Sequence, residues 1–462
     1  MNRLLAAVLL GAPTATLAAL GPRYGGDLTV AVLGLPASTD PRSPRGSSEA
    51  LVAGLVHETL VAVGADGLPA PSLARGWSTA ASGREWTLEL PVGAAFHDDR
   101  PLTSDDAVRS LRRFLRSSSP AAAQLAEALE GGTAFAARST EDLSGLAAPD
   151  PQRLVLRFGE PRALPLAPLA SFAAAVTSPA GAGCGPFVPT LSVPGRRMGL
   201  TAFGGHARGR PYLDAIQMVA LADPTALRAD LRAGRVDLGP GEGGPQALAA
   251  TLLLVLDPAL PPFDRPDARR AVSGAIDRID LAGRFLLGAE PSRVLLAPVL
   301  LPPLGDGAPL APEARLGGTV TMTVSREVPP LVSQRVVAYL GAIGLAVTVS
   351  AAQPATALSA SSPARLLFWT PEVAEAGLAL NELATLAPPD PLVREALAAA
   401  LRESDLDRRR ALLYRAESAL RAGHALVPLA ATPVSFTTRR GVHGARVTAS
   451  GRLVLEDAWV EP

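Results

Sequence analysis

The reactive side chains of this sequence are few. One cysteine (Cys184), five histidines (His57, His97, His206, His424, His443) and no lysine limit what chemistry it can run. All 43 basic residues are arginine, so a phosphate-loop lysine and a Schiff-base lysine are both excluded. His57-Glu58-Thr59-Leu60 opens like the zinc motif HExxH, but the second histidine is absent. It reads instead as a helix end packed on the core. Gly239, Gly241 and Gly244 have the spacing G-x-G-x-x-G. Pro240 and Pro245 spoil the strand before it and the helix after it, so a loop is expected rather than a dinucleotide site. Cys184 has no histidine or acid near it in sequence and reads as a small buried residue in a turn rather than a reactive thiol. A secreted hydrolase would need a Ser or Cys nucleophile beside a histidine and an acid. There is no GxSxG, and the histidines lie in unrelated contexts. His97-Asp98-Asp99 is the densest cluster of ligand types. No catalytic set, metal or cofactor is expected.

Composition narrows the class further. The chain has 462 residues, enough for two or three cores, and a formal net charge of zero. No broad attraction to nucleic acid or to an anionic membrane follows. The heavy Ala, Gly and Pro usage reads as genomic bias. Residues 1–19 carry Arg3, an apolar run from Leu4 to Leu10 and small residues near Ala18, the pattern of a secretory signal peptide. No cysteine stands at that cleavage site, so a periplasmic protein is expected rather than a lipoprotein. One cysteine gives no disulfide framework.

Several elements are legible from periodicity. Residues 25–33 form a strand, and 48–63 a helix followed by a strand. Trp77 to Leu90 folds back at Ser82-Gly83 as a hairpin. Thr103 opens a helix with Asp106 three residues on, a capping-box spacing, and Val108, Leu111 and Leu115 share one face. Further expectations are a helix over 124–129, strands at 153–158 and 174–176, and a helix opened by Asp223 and Thr225. Apolar residues at 268, 271, 272, 275, 276 and 279 keep one helical stripe, which places Arg270 and Asp277 on one face. Beyond a Pro- and Leu-rich loop over 288–316, strands at 319–324, 345–349 and 365–369 flank a helix over 332–343. A helix over 404–422 is closed by Gly423, and a strand-rich tail covers 436–460.

Leu73-Ala74, Trp77, Phe96-His97-Asp98, Pro101, Thr103 and Asp106-Ala107-Val108 occur in an order that resembles peptide/nickel-type (family 5) extracellular solute-binding proteins of ABC transporters. Pro262-Phe263, Arg270-Ala271 and Ala275-Ile276-Asp277-Arg278 extend the resemblance, as do Gly234-Arg235-Val236-Asp237-Leu238 and Val427-Pro428-Leu429. Departures are Asp99 for the usual Gly, Cys184 for Thr, and no aromatic before Gly209. The usual two-helix stretch after Gly288 is also lacking.

The resemblance implies an α/β, two-lobed periplasmic-binding-protein fold of type II with an extra subdomain in lobe one. Lobe one would cover 25–250 plus 433–462, with the subdomain at 44–158, and lobe two 251–432. Crossings near 251–257 and 428–433 would be the hinges. The implied role is a monomer that delivers a small ligand, most plainly a di- or oligopeptide, to an ABC permease. A ligand sensor uncoupled from transport is the alternative. The implied ligand-binding residues are Trp369, Thr370 and Glu372, because peptide-binding members carry Trp-x-x-Asp there and pair the Asp with the ligand's amino group. Two readings of Glu372 stay open: it receives an ammonium, or it caps the helix expected to follow. With 4% aromatic residues, a pocket for oligosaccharides is disfavoured, and so is a promiscuous peptide groove.

Overall fold

The computed structural model describes residues 21–461, except 33, 36–37, 43–46, 194, 222–225 and 304–314. The expected signal peptide and the residues Asp223 and Thr225 lie outside the described residues.

Two long strands hold the molecule together. Gln246–Leu256 and Leu426–Thr438 pair antiparallel, from Gln246 opposite Ser435 to Val255 opposite Leu426. Residues 249–256 form the buried run Ala-Ala-Thr-Leu-Leu-Leu-Val-Leu, nearly continuous in apolar character, as a strand covered on both faces requires. On one side Gln246–Leu256 pairs with Ala364–Trp369, which runs parallel to Thr319–Ser325, which in turn runs parallel to Ala346–Ala352. On the other side Leu426–Thr438 pairs with Leu238–Pro240. From there the sheet continues through Asp27–Val32, Ala215–Ala220, Arg197–Ala202 and Phe187–Val193. One sheet therefore runs through both lobes, joined only by the two long strands. Their pairing shifts register between Leu248 and Ala250 and between Leu252 and Leu253. Bulges of this kind bend and twist a ladder locally.

A third body is built on a separate four-stranded sheet in the order Gly76–Thr79, Glu85–Glu89, Arg153–Arg157, Leu146–Asp150. The hairpin and the strand at 153 are the ones the sequence led us to expect. Helix Ser104–Leu115 lays Ala107, Leu111, Phe114 and Leu115 on its core. Thr103 N–H donates to Asp106 Oδ2 at 3.0 Å, closing the expected box. This core takes residues from Leu60 to Cys184, and also Val373 and Leu378 from the far lobe.

Three expectations give way. The helical stripe through 268–279 is broken at Ile276 into Pro266–Ala275 and Arg278–Phe285. Asp277 caps the second helix, accepting from Ile279 N and Asp280 N at 3.0 Å each. A short carboxylate bonds free N–H groups at a helix start better than it fits a helix interior. Arg270 and Asp277 thus do not share a helix. Residues 172–174 form a 3-10 turn, and Val176 makes only a single bridge to Glu58. The helix expected from 124 begins at Pro120, behind Ser119. Leu406–Ala422 closes at Gly423 as expected, and the left-handed residue is the next one, His424 (φ 50).

Candidate functional site

The seam between the lobes centres on Glu372. Strand Ala364–Trp369 ends there, and the chain turns through Thr370 and Pro371 before helix Ala376–Ala384. Glu372 is half-buried. Ser119 Oγ lies 2.8 and 2.9 Å from its two carboxylate oxygens, and Ser171 Oγ donates to Oε1. Both serines belong to the body on the far side of the seam. Each also starts a helical segment: Ser119 Oγ accepts from Ala122 N, and Ser171 Oγ from Ala173 N, at 3.2 Å each. The N–H bonds fix each hydroxyl oxygen, which leaves its proton free to point at the carboxylate. Two helix starts therefore face the negative charge, which is the favourable sense of the helix dipole.

From below, Glu372 N–H donates to Glu382 Oε2 at 3.0 Å, and Trp369 Nε1 donates to Glu382 Oε1 at 3.3 Å. Burial, and then the charge of Glu372, push Glu382 up from 4.5 to about 7. Trp369 is 3% exposed and packs with Leu380 and Leu383. Thr370 is exposed. Of the three residues taken from the resemblance, then, one lies in the core, one faces solvent and one reaches across the seam.

Glu372 does not cap the helix that follows. Glu375 does, accepting from Gly377 N at 3.0 Å and Leu378 N at 2.9 Å. A buried ion pair with Arg409 (3.0 Å) holds Glu375 in place. Around Glu372 the seam is closed by apolar packing of Val373 and Leu378 into the opposite core. Ala163 N donates to Leu401 O at 2.8 Å, and Arg402 pairs with Glu160 at 2.9 Å. On the same seam burial, and then the charge of Glu49, raise the Glu327 carboxyl.

Ser119 and Ser171 were missed in the sequence. Ser119 had a signal, since Ser followed by Pro120 is a common helix start. Ser171 had none beyond being a serine.

Of the remaining reactive groups, His57, His206 and Cys184 are buried and His97 is half-buried. His57 is 3% exposed, with Nε2 2.6 Å from Thr39 O, and burial lowers it to about 4. His206 Nε2 lies 3.2 Å from Glu58 Oε2. Burial opposes its proton, but the Glu58 hydrogen bond and charge outweigh that and raise its pKa. His97 Nε2 is 2.9 Å from Gly185 O, which ties the His97 turn to the Cys184 turn. Burial, then Glu58, push the Cys184 thiol up, so it stays protonated and a poor nucleophile. Among the described residues no three His, Cys, Asp or Glu side chains group as a metal site, and no helix is long and apolar enough to cross a membrane.

A family model described as Bacterial extracellular solute-binding proteins, family 5 Middle, matches residues 69–311. The fold is similar to that of Haemophilus influenzae OppA in complex with RPPGFSPFR. The TM-score is 0.82 at 16% identity, over 95% of this chain and 100% of that one. It is also similar to the Helicobacter pylori periplasmic binding protein DppA with peptide STSA (TM-score 0.81, 18% identity, 95% and 99% covered). AgaA of A. tumefaciens R10 with agropinic acid gives a TM-score of 0.79 at 18% identity, over 95% and 99% of the two chains. At these identities the likeness shows the two-lobed fold.

Proposed function

We infer that this chain, which belongs to family 5 of the bacterial extracellular solute-binding proteins, binds a small peptide between its lobes and presents it to the permease of an ABC importer. The observation that carries this is Glu372, a carboxylate on one lobe held at the seam by Ser119 and Ser171 of the other. A carboxylate has about four acceptor positions, and two hydroxyls leave room for an ammonium group. The serines hold the acceptor in place before a ligand arrives, which lowers the ordering cost of binding. Two of the similar structures hold peptides, and the third holds agropinic acid, which supports a peptide-like ligand. The low aromatic content favours a short peptide over a broad groove.

On this reading the protein binds without turning over its ligand. It is exported after removal of residues 1–19 and acts in the periplasm as a monomer. Lobe one is 25–250 plus 433–462, with the subdomain at 44–158, and lobe two is 251–432. The bulged crossing strands are the hinge.

A second reading has its own support. Both Glu372 oxygens already have hydroxyl donors, so the residue could act as a latch between lobes around an uncharged ligand, as in a sensor uncoupled from transport. A thermal-shift screen of di- to tetrapeptides against sugars and nickel chelates tests the two. A ligand at a hundredfold its Kd stabilises by about 2.7 kcal/mol. Stabilisation by peptides alone supports the transport reading. Stabilisation by uncharged ligands alone supports the latch.

A further inference from the structure

Five arginines, none of which touches Glu372, converge on one pocket of ≈ 340 Å³: Arg42, Arg112, Arg113, Arg116 and Arg138, with Phe135 as its apolar wall. Arg42 comes from the loop after strand Asp27–Val32, the next three from helix Ser104–Leu115 and its end, and Arg138 from the chain after Gly132–Ala136. Their carboxylate partners are fewer. Asp40 takes Arg42, and Glu141 takes Arg116 at 2.8 Å and lies 3.9 Å from Arg112.

Arg113 makes no ion pair among the described residues, and the charge of Asp40, already bridged to Arg42, acts on it only from a distance. Its Nη2 donates to the neutral Thr177 Oγ1 at 2.6 Å, and its Nε is buried with no hydrogen-bond partner. Arg138 is exposed, sits at φ 59 and makes no ion pair among the described residues. Five guanidinium groups thus face two carboxylates. Like charges held together in partial burial are unfavourable without a counterion. The cluster is also held in place without one. The Arg112 and Arg116 guanidinium groups lie over the Phe135 ring at 4.5 and 4.0 Å, and Arg116 donates to Phe135 O and Thr140 O at 3.3 Å each.

We propose that this pocket is an anion-binding site, distinct from the peptide cleft, and that it takes a phosphate group. Rigid guanidinium forks match phosphate oxygens in pairs. A phosphate monoester brings three acceptor oxygens and a charge of about −1.5 to −2 near neutral pH, which answers an excess of guanidinium groups better than one carboxylate does. The phosphate can come from a soluble phosphorylated compound or from a phospholipid headgroup, whose diester brings one charge and two free oxygens to the same guanidinium forks.

Calorimetric titration of the mature chain with inorganic pyrophosphate at low salt, run beside co-sedimentation with phosphatidylglycerol vesicles and with phosphatidylcholine vesicles, tests the site and separates the sources. One pyrophosphate should bind per chain and should weaken at least tenfold in Arg113→Gln and in the exposed variant Arg138→Gln. Arg232→Gln, elsewhere on the surface, should leave it unchanged. A headgroup source adds sedimentation with phosphatidylglycerol alone, displaced by pyrophosphate. A soluble source gives pyrophosphate binding without sedimentation. No binding in either arm, or binding that Arg138→Gln and a correctly folded Arg113→Gln leave untouched, would overturn the proposal.

Discussion

Glu372 is gripped from two sides, by Ser119 and Ser171 across the seam and by its own N–H on Glu382 beneath. If an amine is the ligand, Glu372→Gln should weaken it by about 3–5 kcal/mol, because an enclosed ammonium then has no counter-charge. Ser119→Ala or Ser171→Ala alone should weaken it less, by about 1.5–3 kcal/mol, the value of one charged hydrogen bond that positions the carboxylate. Calorimetric titration reads both. The neighbouring titrations give two pH windows. His57 is lowered from 6.5 to about 4, so its contribution is full above pH 6.5 and is lost as pH falls toward 4. Complete loss is about 3 kcal/mol. Glu382 is raised from 4.5 to about 7, so its contribution is full below pH 4.5 and is lost as pH rises through 7. Denaturant melts should show acid destabilisation that is blunted in His57→Asn. Glu382→Gln should gain on the parent at pH 8 and not at pH 4. At this scale the sequence offered Glu372 through a motif, but not its partners. Ser119 and Ser171 lie some 250 and 200 positions away, and such long-range pairs have no local signature.

Elements were readable where local chemistry and tertiary packing agree. The capping box at Thr103 and Asp106 and the hairpin from Trp77 both combine turn or cap chemistry with a clear apolar pattern. Asp106 shows what such a cap can carry: its side chain is fully buried, capping Thr103 and pairing with Arg100 at 2.7 Å and Arg109 at 2.6 Å. Asp106→Ala should cost about 0.5–2 kcal/mol, since it removes the cap on Thr103 N–H while the part-exposed Arg100 and Arg109 turn to water; a urea melt measures it. The helical expectation failed where an apolar stripe ran into a helix break. Ala268, Ala271, Val272 and Ile276 are buried, but Ile279, just past the cap Asp277, is exposed, so the stripe ends at the break. There Arg278 donates to Pro428 O at 2.8 Å, tying the break to a crossing strand. Periodicity alone cannot see that anchor.

At the scale of the molecule, the sheet is continuous but its two halves are joined only by Gln246–Leu256 and Leu426–Thr438. The order of motifs made this two-lobed plan legible, since strand, hairpin and capped helix recur in the family's sequence of parts. The closeness of the lobes was not legible, because Val373 and Leu378 enter the opposite core only through the folded chain. Closure driven by a ligand requires contacts made only in the closed state. Small-angle scattering should therefore show a smaller radius of gyration with bound peptide than without. Replacing Val373 and Leu378 by alanine should raise the unliganded radius by loosening the seam. The most direct test of the amine-binding cleft is calorimetric titration of the parent and Glu372→Gln with the best peptide from the screen and with its N-acetylated form. The account expects the free peptide to bind the parent several hundredfold more tightly than the acetylated one, with that difference abolished in Glu372→Gln. Equal binding of free and acetylated peptide by the parent would contradict it.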